Sequence, residues 1–326
     1  MVHFTYLVKE ANEYGDFNVT DLALSRFISI YSAWLYMKPE RIFIHTNIKA
    51  TFFSKLDEST HPHFAAIIRL PNLMLQHVEL PRRSTKDIEI AGYEAKSDFI
   101  RVQALYDHGG VYMDTDVYAL RDFSPLRHMG YGAVLAHQHD GRVCTAMMMT
   151  VPRGRLFTAF RRLLDKVFSG SWDLHSTTLL QRLAHDFSSA AGNPVMTLPR
   201  ETFFAGSWND EDLIKGYSEK ADIATNLTDW TTCDPQLTAN LDDYEEELLS
   251  GKIWPEPSSW DLCQAYAFHG WNSAVYGLLP EKERKHIFDP YPGINLDYLL
   301  SGKSFFAAAV WKITQHALKH GYLKRD

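Results

Sequence analysis

The chain has 326 residues, 45% hydrophobic and 22% charged, which allows a large apolar core and needs no disulfide staple. A net charge of −7 and a pI near 6.1 imply no strongly basic face, which argues against nucleic acid as the main partner. The three cysteines (Cys144, Cys233, Cys263) follow no zinc or redox spacing, no basic-then-apolar leader opens the chain and no stretch is long enough to span a bilayer, so a soluble, cytoplasmic protein is expected.

The spacing predicts a strand over His3–Val8. Thr20 and Asp21 are candidate caps for a helix over Leu22–Met37, whose apolar stripe runs Leu24, Phe27, Ile28, Tyr31, Leu35. Arg41–His45 and Leu73–Val78 read as strands with a helix around His63–Leu70 between them. This β-α-β-α-β alternation predicts an α/β fold with a Rossmann-like, mostly parallel sheet flanked by helices. Ligands of such sheets sit beyond the carboxyl ends of the strands, where Tyr6, His45 and Thr46 fall.

The segment Ser97–Leu120 (SDFIRVQALYDHGGVYMDTDVYAL) carries the chemistry. Its helix has one narrow polar stripe, Lys96, Gln103 and Asp107. Asp98 and Arg101 fall inside the apolar arc, side by side at i,i+3. Buried charges cost several kcal/mol, roughly, unless paired or used. A structural ion pair and a pair at a ligand pocket fit this spacing equally. Gly109-Gly110 allows a sharp reversal into a short buried strand, Val111–Met113. Asp114 and Asp116 follow, two apart. On extended backbone both carboxylates share a face, and two hard oxygen ligands suit Mg²⁺ or Mn²⁺ better than zinc.

Strands are predicted at Gly132–His137, Val143–Val151, Val195–Leu198 and Ala265–His269, and helices at Leu156–Phe168, Leu174–Phe187 and from Phe305 onward. One domain over 1–326 is expected, with 207–260 as a peripheral insertion and 280–326 as a C-terminal helical segment packed on the core. Asp210-Glu211-Asp212 also has the Asp-x-Asp form, but its polar context reads as a solvated helix start.

The string Ser97-Asp98-x-x-Arg101, then Gly109-Gly110-Val111-Tyr112-x-Asp114-x-Asp116, resembles glycosyltransferase family 32. Further segments are similar to its α-1,4-galactosyl and N-acetylglucosaminyl branch, in the same order: Ser176–Arg182, Thr197–Phe204 and Phe268–Asn272. The chain departs from that branch at Asp140-Gly141, at Ser176-Thr177, at Arg200 and at Ala205-Gly206, segments that line the sugar and acceptor side in such enzymes.

The resemblance implies a GT-A-type fold and a metal-dependent, retaining transfer from a nucleotide-sugar to a hydroxyl acceptor. UDP-sugars are favoured as donor, with GDP-mannose second, and Mn²⁺ or Mg²⁺ is the implied cofactor. Asp116 would ligate the metal, with Asp114 nearby through water and touching the donor. Asp98 and Arg101 would hold the donor sugar. His269 is a candidate further metal or diphosphate contact, with a hydrogen-bonded core histidine as the plain alternative. Tyr6 and His45 are candidate base contacts, and Trp271 a donor-side pocket wall. Asp140 and Glu201 are acceptor-side candidates, with a turn role beside Gly141 and a local backbone cap as their alternatives. The missing membrane anchor leaves room for a small-molecule acceptor. The oligomeric state is open. The rival readings are a haloacid-dehalogenase-like phosphohydrolase, which also follows a strand with Asp-x-Asp, and a non-catalytic nucleotide-sugar binder.

Overall fold

The computed structural model describes residues 1–9, 21–189, 191–192, 194–219, 260, 262 and 265–325. A seven-stranded mixed sheet forms its centre: β1 (Val2–Tyr6), β2 (Ile42–Thr46), β3 (Leu73–His77), β4 (Gly110–Met113), β6 (Ala133–Ala136), β7 (Met147–Thr150) and β8 (Val195–Leu198). The order is β3-β2-β1-β4-β7-β6-β8, and β5 (Val117–Ala119) pairs with β9 (Ala267–His269) in a separate two-stranded sheet. The pairs β1–β2, β2–β3, β1–β4 and β6–β8 are parallel, while β7 runs antiparallel to both β4 and β6. The sheet is therefore mostly parallel with helices on both faces, as expected.

Side chains alternate across the central strands and feed two apolar layers. Val111, Met113, Met147 and Met149 enter the layer that also holds Phe27, Tyr31 and Phe306. Tyr112, Met148, Ala133 and Leu135 enter the other, with Val102, Leu105, Phe157 and Phe160. A sheet covered on both faces needs strands without a polar side, which explains runs such as Met147-Met148-Met149.

The N-terminal helix spans Leu24–Ser32 and continues as one π turn, Ala33–Met37, before Lys38 adopts φ 44°. Asp21 does not cap it. Its carboxylate accepts the backbone N–H groups of His63 and Phe64 at 3.1 Å each, and so caps the later helix Pro62–Ile68. Thr20, Cys233, Cys263 and residues 220–259 of the expected insertion lie outside the described residues. The described ends of that insertion pack on the core: the Asp210–Tyr217 helix, capped by Asn209, buries Leu213 and Tyr217, and the buried Trp260 indole N–H donates to the Asp212 carbonyl at 2.9 Å. The C-terminal helix Phe305–Lys319 packs against the first helix, where the Tyr31 hydroxyl meets His316 Nδ1 at 2.8 Å.

Gly109-Gly110 is required twice over. Both residues have positive φ, 62° and 94°, and added Cβ atoms would sit 2.5 Å from Pro152 N and from the Met1 carbonyl oxygen. The close approach brings β4 against β1, so the aspartates leave the sheet at its centre.

Candidate active site

A cavity of ≈ 850 Å³ opens beyond the carboxyl ends of β1 and β4. Of the residues singled out in the sequence, Tyr6, Asp98, Arg101, Asp114, Asp116, His269 and Trp271 line it. They come from the end of β1, the helix Tyr93–His108, the exit of β4 and the exit of β9.

Alternation on an extended strand does not bring the two aspartates together. The strand ends at Met113, and Asp114-Thr115-Asp116 forms a tight turn closed by Val117 N–H donating to the Asp114 carbonyl at 3.0 Å. Each carboxylate then has its own surroundings. Asp114 accepts the Tyr112 hydroxyl at 2.6 Å and lies 3.2 Å from Arg101 Nη2. Asp116 Oδ1 lies 3.1 Å from His269 Nε2.

Arg101 is the hub. Buried beside the Tyr112 ring, it meets Asp98 at 3.4 Å as well as Asp114, and donates to the Thr145 carbonyl at 3.1 Å and the Ser97 hydroxyl at 2.9 Å. Asp98 is also 3.2 Å from Nε2 of the buried His175. Asp98 and Arg101 are therefore an ion pair and part of a pocket wall at once. Burial works against the Arg101 charge, yet Asp114, Tyr112 and Asp98 around it raise its pKa. Burial also pushes the Asp114 carboxyl up, with Arg101 pulling the other way.

Strand pairing makes the second centre. β5 and β9 run antiparallel with Val117 opposite His269, and the Gly270 N–H donates to the Asp116 carbonyl at 2.7 Å. This fixes the imidazole against the carboxylate. Burial alone would lower the His269 pKa, but the Asp116 charge overrides it and raises it to about 10. Burial opposes ionisation of Asp116, and His269 nonetheless holds its pKa below the ordinary value. Trp271 stacks on the His269 ring at 3.7 Å between centroids and meets Trp208 edge-on at 5.1 Å.

Among the described residues no group of three His, Cys, Asp or Glu side chains is arranged to hold a metal ion. The donor set of Asp116 and His269 nonetheless fits a hard divalent ion. The two are joined by a hydrogen bond at 3.1 Å, so an ion held there would take the place of the proton they share. Such an ion would supply charge neutralisation to a substrate phosphate.

Three expected residues lie elsewhere. His45 is buried behind the sheet end, its Nε2 3.0 Å from His3 Nδ1 and its ring stacked on His3, so it has no face left for a base. Asp140 caps its own turn, accepting the Arg142 backbone N–H at 3.0 Å and side-chain Nε at 2.8 Å beside Gly141 at φ 76°. Glu201 is held by Arg200 Nε at 2.8 Å on a single helical turn. None of the three lines the cavity. Tyr6 does, with the Arg26 guanidinium over its ring at 5.2 Å. No motif marks Arg26, His175 or Trp172 as parts of this site. Tyr112 and Asn272 stood inside motifs with no role assigned to them.

Residues 26–132, including both aspartates, match the family described as glycosyltransferase sugar-binding region containing DXD motif. This match supports a glycosyltransferase of the Asp-x-Asp class. Glucan organizing enzyme 1 of Cryptococcus neoformans var. grubii is 23% identical over 224 residues, covering 66% of this chain; the match spans 56% of that relative's length. Among solved structures, the apo-form glycosyltransferase GlyE of Streptococcus pneumoniae is similar over 98% of this chain and 63% of its own, with TM-score 0.44 and 9% identity. PaToxG glycosyltransferase is similar over 57% of this chain and 68% of its own, with TM-score 0.41 and 11% identity. Structural likeness at these TM-scores decides nothing about the reaction.

Proposed function

We propose that the chain is a metal-dependent, retaining glycosyltransferase of GT-A type. It moves a sugar from a nucleotide-sugar, UDP-linked in preference to GDP-linked, to a hydroxyl acceptor. One observation carries this: Asp116 and His269, a carboxylate and an imidazole brought together across the β5–β9 ladder, share a cavity with the buried pair Asp98–Arg101. Asp116 and His269 would hold Mn²⁺ or Mg²⁺, which supplies charge neutralisation to a departing diphosphate. Asp98 and Arg101 form a rigid polar wall for the donor sugar, since each is already fixed by a second partner. Tyr6 and Trp271 bound the donor side with aromatic surface.

Four of the cavity's carboxylates are charge-paired: Asp98 and Asp114 with Arg101, Asp116 with His269, and Asp173 with Arg142. Glu94 lies exposed on the first turn of its helix. Among the described residues, none of these is both free and sheltered, as a covalent nucleophile would be. Retention is then best served by front-face substitution. The bond from the anomeric carbon to the phosphate oxygen breaks as the acceptor oxygen bonds to that carbon, and the acceptor proton passes to the released phosphate. A haloacid-dehalogenase-like reading needs the first aspartate free to attack, whereas Asp114 is held by Tyr112 and Arg101.

The test is a panel of UDP- and GDP-sugars with Mn²⁺, read as nucleotide release. Release that is metal-dependent and lost on chelation supports the reading. Nucleotide binding with no release from any donor favours a non-catalytic binder, and phosphate release from simple phosphoesters favours the hydrolase.

A further inference from the structure

Three arginines line the cavity, and one of them has no carboxylate to answer its charge. Arg101 is shared by Asp98 and Asp114, and Arg142 by Asp140 and Asp173. Arg26 forms no ion pair among the described residues. Its guanidinium lies over the buried Tyr6 ring at 5.2 Å, and a ring face attracts a cation without neutralising it.

Packing decides where Arg26 stands. The first helix, Leu24–Ser32, lies against the turn that carries the aspartates: the Ser29 hydroxyl donates to the Val117 carbonyl at 2.6 Å and lies 3.4 Å from the Asp114 carbonyl oxygen. Residues three apart share a helix face. Arg26 therefore stands on the face that meets this turn, one turn nearer the helix start, where it is half-buried and borders the cavity. Its field reaches the second centre. Burial opposes ionisation of Asp116, His269 favours it, and the Arg26 charge acts in the same sense as His269.

A second group at that centre also lacks a partner. Asn272, two residues beyond the Gly270 N–H that bonds Asp116, lines the cavity and is 8% exposed. Its side-chain oxygen accepts the Tyr118 hydroxyl at 2.9 Å, which fixes the amide, and its Nδ2 donates to nothing among the described residues. A buried donor left without an acceptor calls for one from a ligand.

We infer that Arg26 is a catalytic residue that binds the leaving diphosphate. An unpaired guanidinium beside a free amide donor suits phosphate oxygens. A neutral acceptor hydroxyl would not call for that charge. As the bond from the anomeric carbon to the phosphate oxygen breaks, its electron pair stays on the diphosphate, and a guanidinium already in place stabilises it without reorganising. The identity of the anion rests on the transferase reading above.

The experiment is calorimetric titration of the full chain in EDTA with inorganic pyrophosphate, UDP and uridine, which separates charge from base and needs no metal. Wild type is expected to bind pyrophosphate and UDP. Arg26→Gln should weaken both by about tenfold or more, Arg26→Lys should recover part of the loss because it keeps the charge, and uridine should distinguish none of the three proteins. A thermal melt of each variant reports that it is folded. The inference is overturned if wild type binds neither anion, if Arg26→Gln binds both as tightly as wild type, or if uridine loses as much affinity as UDP. Donor turnover separates the two readings. If Arg26→Gln loses pyrophosphate as expected but wild type consumes no nucleotide-sugar, the anion site stands and the transferase reading falls. If wild type consumes a nucleotide-sugar and Arg26→Gln does so with unchanged kcat and KM, the transferase reading stands and this inference falls.

Discussion

Replacing Arg101 by methionine tests the centre of the site. The change keeps most of the side-chain volume and removes the charge. It deletes contacts to Asp98 at 3.4 Å, Asp114 at 3.2 Å, the Thr145 carbonyl at 3.1 Å and Ser97 at 2.9 Å. Removing one partner of a buried ion pair costs about 3–5 kcal/mol, because the other charge is left uncompensated. Here each carboxylate keeps a neighbour, Tyr112 for Asp114 and His175 for Asp98, and Asp114 borders the cavity. The low end, about 3 kcal/mol, is therefore expected. Unfolding entropy near 2.1 cal/mol/K per residue gives a chain of this size about 0.7 kcal/mol/K, so the melting temperature should fall by about 4 °C. Arg101→Lys should fall between the two, since an ammonium cannot reach both carboxylates and the carbonyl at once. Circular dichroism melts supply the measurement, with nucleotide release at a temperature well below all transitions as the second readout. An Arg101→Met variant that melts with the wild type would refute the uncompensated-charge argument. One that melts lower but turns over normally would refute the role of Arg101 at the donor wall.

Asp116→Asn should cut Mn²⁺-dependent nucleotide release by about 100-fold or more while leaving the fold intact, and added chelator should then change little; full activity in this variant would remove Asp116 from the metal site. Gly110→Ala places a Cβ 2.5 Å from the Met1 carbonyl oxygen at φ 94°, so a loss of about 1–3 kcal/mol is expected in urea titration, and an unchanged midpoint would contradict the close approach of β1 and β4. Burial lowers His3 to about 3 and His45 to about 4, so the folded state keeps both neutral while the unfolded chain protonates near 6.5. Their stabilisation is full above about 6.5 and is lost as pH falls from there toward 4, by up to about 1.4 kcal/mol per pH unit each. In the metal-free protein His269, raised to about 10, works oppositely: its contribution is full below about 6.5 and fades as pH rises through about 10. Urea titrations at pH 5.0, 6.5 and 9.5 should place maximal stability at the middle value; a protein equally stable at 5.0 and 6.5 would contradict the neutral histidine pair.

Much of the sheet was legible because its strands are short apolar runs bounded by turn residues, and Val195–Leu198 appears with its expected limits. Asp98 and Arg101 were legible for a physical reason: charges inside an apolar helical arc must be paired, and they are. What failed depended on partners remote in sequence. Asp21 looked like a cap for the next helix and instead caps one that begins about forty residues later, because any carboxylate brought to free N–H groups serves. His45 sits at a strand end as expected, but strand position does not reveal that His3 claims its ring. The turn at Asp114–Asp116 hid behind a period-two pattern that both a strand and a turn satisfy. His175 lay within the stretch Leu174–Phe187, which read simply as a helix.

The short ladder between β5 and β9 has a consequence for how the protein comes into being. It pairs Val117 with His269, and the imidazole reaches the Asp116 carboxylate, 153 positions away in sequence, only across it. A nascent chain released before residue 269 already has Asp114, Asp116 and the whole helix that holds Arg101, yet lacks one of the two candidate ligands. Closure of so long a loop is among the later and slower events of folding. If Asp116 and His269 hold the ion as proposed, competence for divalent ions should arrive only after residue 269 has docked, and metal affinity would report on that step of folding.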